Sequence, residues 1–141
     1  MTLDRRQALA VGIGGLAVAA LPRAVLADAD ATKAAIMAFT GGATPEEGGV
    51  TLDAPEIAEN GNTVQIGVSA EGASAIAVLA AGNPNPGVVT FHFGPLAAAA
   101  ATETRIRLAG TQDVIALAKM ADGSFKMSSR AVKVTIGGCG G

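Results

Sequence analysis

From Val50 onward, apolar residues recur at every second position in short runs, and turn residues interrupt the runs. Val64, Ile66 and Val68 alternate with Gln65, Gly67 and Ser69. Val89, Phe91 and Phe93 alternate with Thr90 and His92, Ile106 and Leu108 with Arg105 and Arg107, and Val132, Val134 and Ile136 with Lys133 and Thr135. Successive side chains of a strand point to opposite faces, so each run has one face for a core and one for water. Val50–Asp53 reads as a first short strand. Ser74–Ala81 reads as a mostly buried strand by its continuous apolar run, and Val114–Met120 as another strand. Asn60-Gly61 predicts a type I′ hairpin turn, Asn83–Gly87 a loop with two prolines, and Asp122-Gly123 a turn. Glu46-Glu47, ahead of Gly48-Gly49, reads as a solvated loop, and Pro95–Ala101 is Ala-rich and featureless. About seven short strands at this spacing predict an all-β fold, an immunoglobulin-like antiparallel β-sandwich. A short helix, Asp30–Phe39, precedes it, with Asp30 as cap and Gly41-Gly42 as stop.

The first residues read as an export signal. Arg5-Arg6 is a twin-arginine pair, Leu9–Leu21 is an uncharged run rich in Gly and Ala, and Val25-Leu26-Ala27 has the small and apolar residues a signal peptidase reads. A membrane-spanning helix needs about 20 apolar residues; this run is shorter and broken by Gly12, Gly14 and Gly15. Residues 1–27 are therefore expected to be a twin-arginine signal peptide, 28–136 the sandwich domain and 137–141 a C-terminal arm, with the mature protein in the periplasm.

Composition excludes several functions. The 141-residue chain has 10 basic and 12 acidic residues. Without residues 1–27 the counts become 10 − 3 = 7 and 12 − 1 = 11, a net of −4. An acidic chain with no Trp and no Tyr lacks the basic patch and stacking platforms of a nucleic-acid binder. A single His, His92, and a single Cys do not make a metal site or a Ser/His/Asp triad. His92 falls on the strand face opposite Phe91 and Phe93, and nothing in the sequence brings it to the cysteine. The expected core is rich in Ala, and a thin core suits a chain that leans on a partner surface.

The one cysteine is Cys139, with Gly137-Gly138 before it and Gly140-Gly141 after it. Glycine moves freely between φ < 0 and φ > 0, and this tail has no apolar side chain beyond Ile136 to bury. From Ile136 to Cys139 an extended chain reaches at most roughly 10 Å. The tail reads as a thiol on a short flexible tether. An unpaired cysteine in an exported protein implies an intermolecular bond or a working thiol. The nearest cation in sequence is Lys133 and the terminal carboxylate is close, so activation of the thiol falls to whichever pocket receives it.

Val134–Gly141 resembles the C-terminus of the SoxY family, the sulfur carriers of the Sox sulfur-oxidation system. Ala54–Val64 is similar to that family's first-hairpin segment, and Arg105–Gln112 to its central strand pair. The resemblance implies an immunoglobulin-like sandwich paired with a SoxZ-like subunit as a heterodimer. It implies that Cys139 is the covalent attachment point, that Gly137, Gly138, Gly140 and Gly141 form the arm, and that no cofactor is held besides the sulfur adducts on Cys139. The partners it implies are a c-type cytochrome, SoxAX, that loads thiosulfate, a hydrolase, SoxB, that releases sulfate, and SoxCD, a molybdenum enzyme, as an optional further partner. The chain itself would then be no enzyme.

Two other readings stand beside this one. A ubiquitin-like sulfur carrier would use the terminal Gly140-Gly141 carboxyl, but that chemistry belongs to the cytosol. A structural sandwich module would dimerise through Cys139. Mass spectrometry separates them: adducts on Cys139, a modified carboxyl, or a disulfide dimer alone.

Overall fold

The computed structural model describes residues 23–137. One helix, α1 (Arg23–Thr40), leads into nine strands: β1 (Glu46–Glu47), β2 (Thr51–Asp53), β3 (Ile57–Asn60), β4 (Val64–Ser69), β5 (Ala73–Ala80), β6 (Gly87–His92), β7 (Ala101–Ile106), β8 (Gln112–Met120) and β9 (Phe125–Ile136). The larger sheet runs β1-β9-β8-β5-β6, with β3 also on β9, and the smaller runs β2-β4-β7. The pairings are antiparallel except where β1 and β3 lie parallel on one edge of β9. The architecture is the expected immunoglobulin-like sandwich.

The core lies between the sheets. Leu52, Val64, Ile66, Val68 and Ile106 face Ile76, Val78, Val114, Ala116 and Val132. Each fully buried branched side chain contributes about 1.5–3 kcal/mol by leaving water. The apolar runs of β5 and β8 are continuous because their other face is covered too. Ala77, Leu79, Ile115 and Leu117 form a second cluster against Ala35, Ile36 and Phe39 of α1. Phe39 meets Phe125 edge to face at 5.8 Å, and the Thr32 hydroxyl donates to the carbonyl of Ala81. The small side chains of β5 and β8 let three layers pack closely.

Several sequence expectations need correction. The helix already covers Arg23, ahead of the expected start at Asp30, and ends as expected where Gly41 and Gly42 take positive φ. Glu46-Glu47 is a two-residue strand rather than a loop; it pairs with Lys126 and Met127, and Glu46 forms an ion pair with Lys126. β7 starts at Ala101 and was hidden because its half-buried inner positions are Thr102 and Thr104 rather than aliphatic residues. Arg107–Thr111 is not a strand but the crossover from β7 to β8.

The Asn60-Gly61 hairpin does not form. β3 pairs with β9 instead of β4, and Gly61 is absent from the positive-φ glycines among the described residues. The Asn60 side-chain oxygen does accept from the amide of Asn62, so the local turn signal is real. The backbone groups of Gly61 go elsewhere: its amide donates to Ile136, and its carbonyl accepts from Leu108. Ile136 keeps the strand register yet is 66% exposed, because the smaller sheet does not reach that far.

Candidate functional site

β9 carries the chain out of the sandwich. Phe125–Val132 is zipped to β8, and that ladder stops at the pair Gln112–Val132. Beyond it, β3 holds one edge through the pairs Ile57–Lys133, Ala58–Val134 and Asn60–Ile136. The Gly61 amide donates to the Ile136 carbonyl at 2.7 Å, and the Thr135 hydroxyl donates to the Ala58 carbonyl at 3.3 Å. On the other edge no strand remains, and one side chain replaces it. The Thr111 hydroxyl accepts from the Val134 amide at 3.0 Å and donates to the Val134 carbonyl at 3.4 Å. A hydroxyl can do both, so one threonine satisfies both ladder groups of Val134.

Gly137 follows directly. A Cβ there would overlap the carbonyl oxygen of Ala109. Glycine is thus required at 137 by close approach, and its φ is not in the left-handed region. Ala109 is itself fixed by Asn83, which is 2% exposed. The Asn83 amide group donates to the Arg107 carbonyl at 2.8 Å, and its oxygen accepts from the Ala109 amide and from the Gln112 side chain, both at 2.9 Å. Gln112 also donates to the Gly110 carbonyl and accepts from the Gly82 amide. A buried amide costs free energy unless its groups are bonded, and here both ends are.

Of the predicted site residues, Gly137 lies in this clamp. Gly138, Cys139, Gly140 and Gly141 lie outside the described residues, as do Arg5, Arg6 and the apolar run of the expected signal. His92 is exposed, as its alternation predicted. It pairs with Ala75, which pairs with Lys119, which pairs with Phe125 at the far end of β9. Eleven residues of strand separate that level from Ile136, roughly 36 Å at about 3.3 Å each, against a reach of about 10 Å for the tail. His92 therefore lies at the end of the sandwich opposite to Ile136. A shallow cavity of about 480 Å³ lined by Ser69, Glu71, Phe93 and Ala97 lies at the His92 end too. Among the described residues no three or more His, Cys, Asp or Glu side chains gather to hold a metal, and no helix is long and apolar enough to cross a membrane.

Gly61, Asn83, Ala109, Thr111 and Gln112 were missed by sequence reasoning as members of this site. Asn83 and Gly61 carried turn signals, which concealed their long-range role. Arg107, whose carbonyl Asn83 holds, is exposed two residues before Ala109.

Fold and root together define an all-β sandwich protein whose last strand ends in a clamp at Ile136 and Gly137, ahead of a glycine–cysteine sequence. Residues 36–139 match the family model described as sulfur oxidation protein SoxY, a match that ends on the cysteine. The chain belongs to the SoxY family. It is similar to the solved sulfur carrier protein SoxY from Chlorobium limicola f thiosulfatophilum, at 30% identity and a TM-score of 0.68, over 76% of this chain and 94% of that one. A superoxide reductase (neelaredoxin) from Ignicoccus hospitalis matches at 18% identity and a TM-score of 0.54, over 62% of this chain and 80% of that one; this likeness is one of fold. No curated protein sequence matches the chain.

Proposed function

We propose that the chain is an exported covalent carrier that holds sulfur intermediates on the Cys139 thiol while partner enzymes act on them. The observation that carries this reading is the root: a clamped strand ends at Ile136, and the only cysteine follows three residues later in a sequence of glycines. Membership of the SoxY family supports it. Loading joins the thiol to the outer sulfur of thiosulfate. A sulfur–sulfur bond forms, the thiol proton leaves to water, and two electrons pass to a c-type haem partner of the SoxAX kind. Hydrolysis by a SoxB-like partner then adds water across the sulfur–sulfonate bond, releasing sulfate and a proton and leaving a persulfide on Cys139. A SoxCD-like molybdenum enzyme could oxidise that persulfide further.

The tether explains why the body is a rigid sandwich. With at most roughly 10 Å between Ile136 and Cys139, an enzyme reaches the sulfur only when the sandwich docks at its channel. Gly138, Gly140 and Gly141 keep that tether slim. A SoxZ-like subunit completes the carrier as a heterodimer, and the twin-arginine signal places the folded protein in the periplasm.

Mature protein, co-purified with its SoxZ-like subunit and incubated with thiosulfate and SoxAX-type and SoxB-type partners, tests the reading by intact mass. The expected adducts are a thiosulfonate and then a persulfide on Cys139. A disulfide dimer as the sole product would support the structural-module reading instead, and a modified terminal carboxyl the ubiquitin-like one.

A further inference from the structure

We infer that Asn83 is a positioning residue for thiol delivery: through Ala109 and the Thr111 segment it sets the direction in which the arm leaves the sandwich. The inference deepens the carrier reading and rests on it.

The sandwich holds the chain as far as Gly137, one residue into the glycine sequence. Ile136 is hydrogen-bonded to Gly61, Val134 is bracketed by Thr111, and Gly137 lies against the Ala109 carbonyl. For a tether this short, the direction at its root decides which volume the sulfur can visit. That root is built on the Arg107–Thr111 crossover, an irregular segment whose only regular neighbours are the end of β7 and the start of β8.

The crossover is held by the fully buried side chain of Leu108 and, at its backbone, by Asn83. The Asn83 side chain spans the segment, bonding the Arg107 carbonyl at one end and the Ala109 amide at the other. It also orients Gln112, which bonds Gly110 within the same segment. Between them the Leu108 amide bonds Gly61, whose amide in turn bonds Ile136. Asn83 stands in the loop after β5, far from β9 in sequence, and is buried where most asparagines are exposed. Gln112 could not replace it, since Gln112 is only half-buried and already bonded to Gly82.

The test uses the heterodimeric carrier with the Asn83→Ala substitution, at a temperature where circular dichroism shows the fold intact. Enzymatic loading with thiosulfate is compared with alkylation of Cys139 by iodoacetamide. The expected result is a roughly tenfold lower kcat/KM for loading, mostly through KM, because geometric misplacement of a reacting group is costly. Iodoacetamide, which needs no particular arm direction, should react at the parental rate. Asn83→Asp keeps the acceptor for Ala109 and Gln112 and loses the donor to Arg107, so loading should recover in part. If Asn83→Ala proves unfolded, Thr111→Val serves at the exposed end of the same clamp and should lower loading with the same unchanged alkylation. Parental loading by a folded Asn83→Ala or, failing that, by Thr111→Val would overturn the inference. Failure of the parent itself to load would instead overturn the carrier reading.

Discussion

A Cβ atom on Gly137 would overlap the carbonyl oxygen of Ala109. The two residues come from different ends of the sandwich's connectivity, one from the exit of β9 and the other from the crossover between β7 and β8. Their contact lies where β9 leaves the sandwich, at the last of the described residues. Gly137→Ala should therefore act on the last strand rather than on the core, since overpacking is relieved at the nearest yielding segment. Amide exchange at Val134 and Ile136 is expected to rise about tenfold, that of β5 and β8 to stay parental. Hydrogen exchange resolved by residue checks this; parental protection at Ile136 would show that the alanine is accommodated.

Cys139→Ser should abolish sulfur loading and leave the melting temperature within about 2–3 °C of the parent, since a substitution among glycines with no apolar neighbour in sequence costs within about 0.5 kcal/mol. Gly138→Val should keep a thiol that reacts normally with iodoacetamide yet loads poorly. Valine restricts the backbone and thickens the tether where it must enter a channel. Parental loading of Gly138→Val would mean that the glycines do not serve access.

Leu117→Ala should destabilise the fold by about 2–5 kcal/mol, the usual range for a buried leucine replaced by alanine. Leu117 is fully buried in the cluster beneath α1. Phe39→Ala, on the helix side of the same cluster and only half-buried, should cost less. Urea unfolding monitored by circular dichroism gives both values. Equal losses would show that the helix is held as tightly as the sheet.

Hydrogen bonds from the Ser124 hydroxyl and amide hold the carboxyl of Asp122 below its usual range at the β8–β9 turn. A depressed folded-state value means that this contribution is present above the unfolded value near 3.8 and fades as pH falls through the lower folded value. Ser124→Ala should move the Asp122 titration upward, as read by carbon-detected NMR between pH 2 and pH 6. An unmoved titration would place the cause elsewhere.

Export should leave a mature N-terminus at Asp28, or at Asp30 if Ala29 is read by the peptidase instead. N-terminal sequencing of periplasmic protein checks the cut, and an uncleaved membrane-bound chain would refute it.

Period-two alternation was enough to read the sandwich and the burial of Val64, Ile66, Val68 and Val132, because a strand's two faces are written directly into alternate residues. The continuous run of β5 announced a mostly buried strand, and the structure shows why: α1 covers its other face. The sole cysteine among glycines is what the sequence offers as a candidate thiol, since its chemistry and the bareness of its neighbours are properties of composition alone. Strand partners were not legible in the same way. Asn60-Gly61 carries the local chemistry of a hairpin, yet β3 lies along β9, because pairing is decided by which edge is free and within reach, not by the turn. For the same reason Asn83 reads as a loop residue and Gly137 as part of a tether. Only the tertiary structure sets Asn83 beneath Ala109 and Ala109 against Gly137, since those contacts join segments 26 and 28 residues apart that no local periodicity connects.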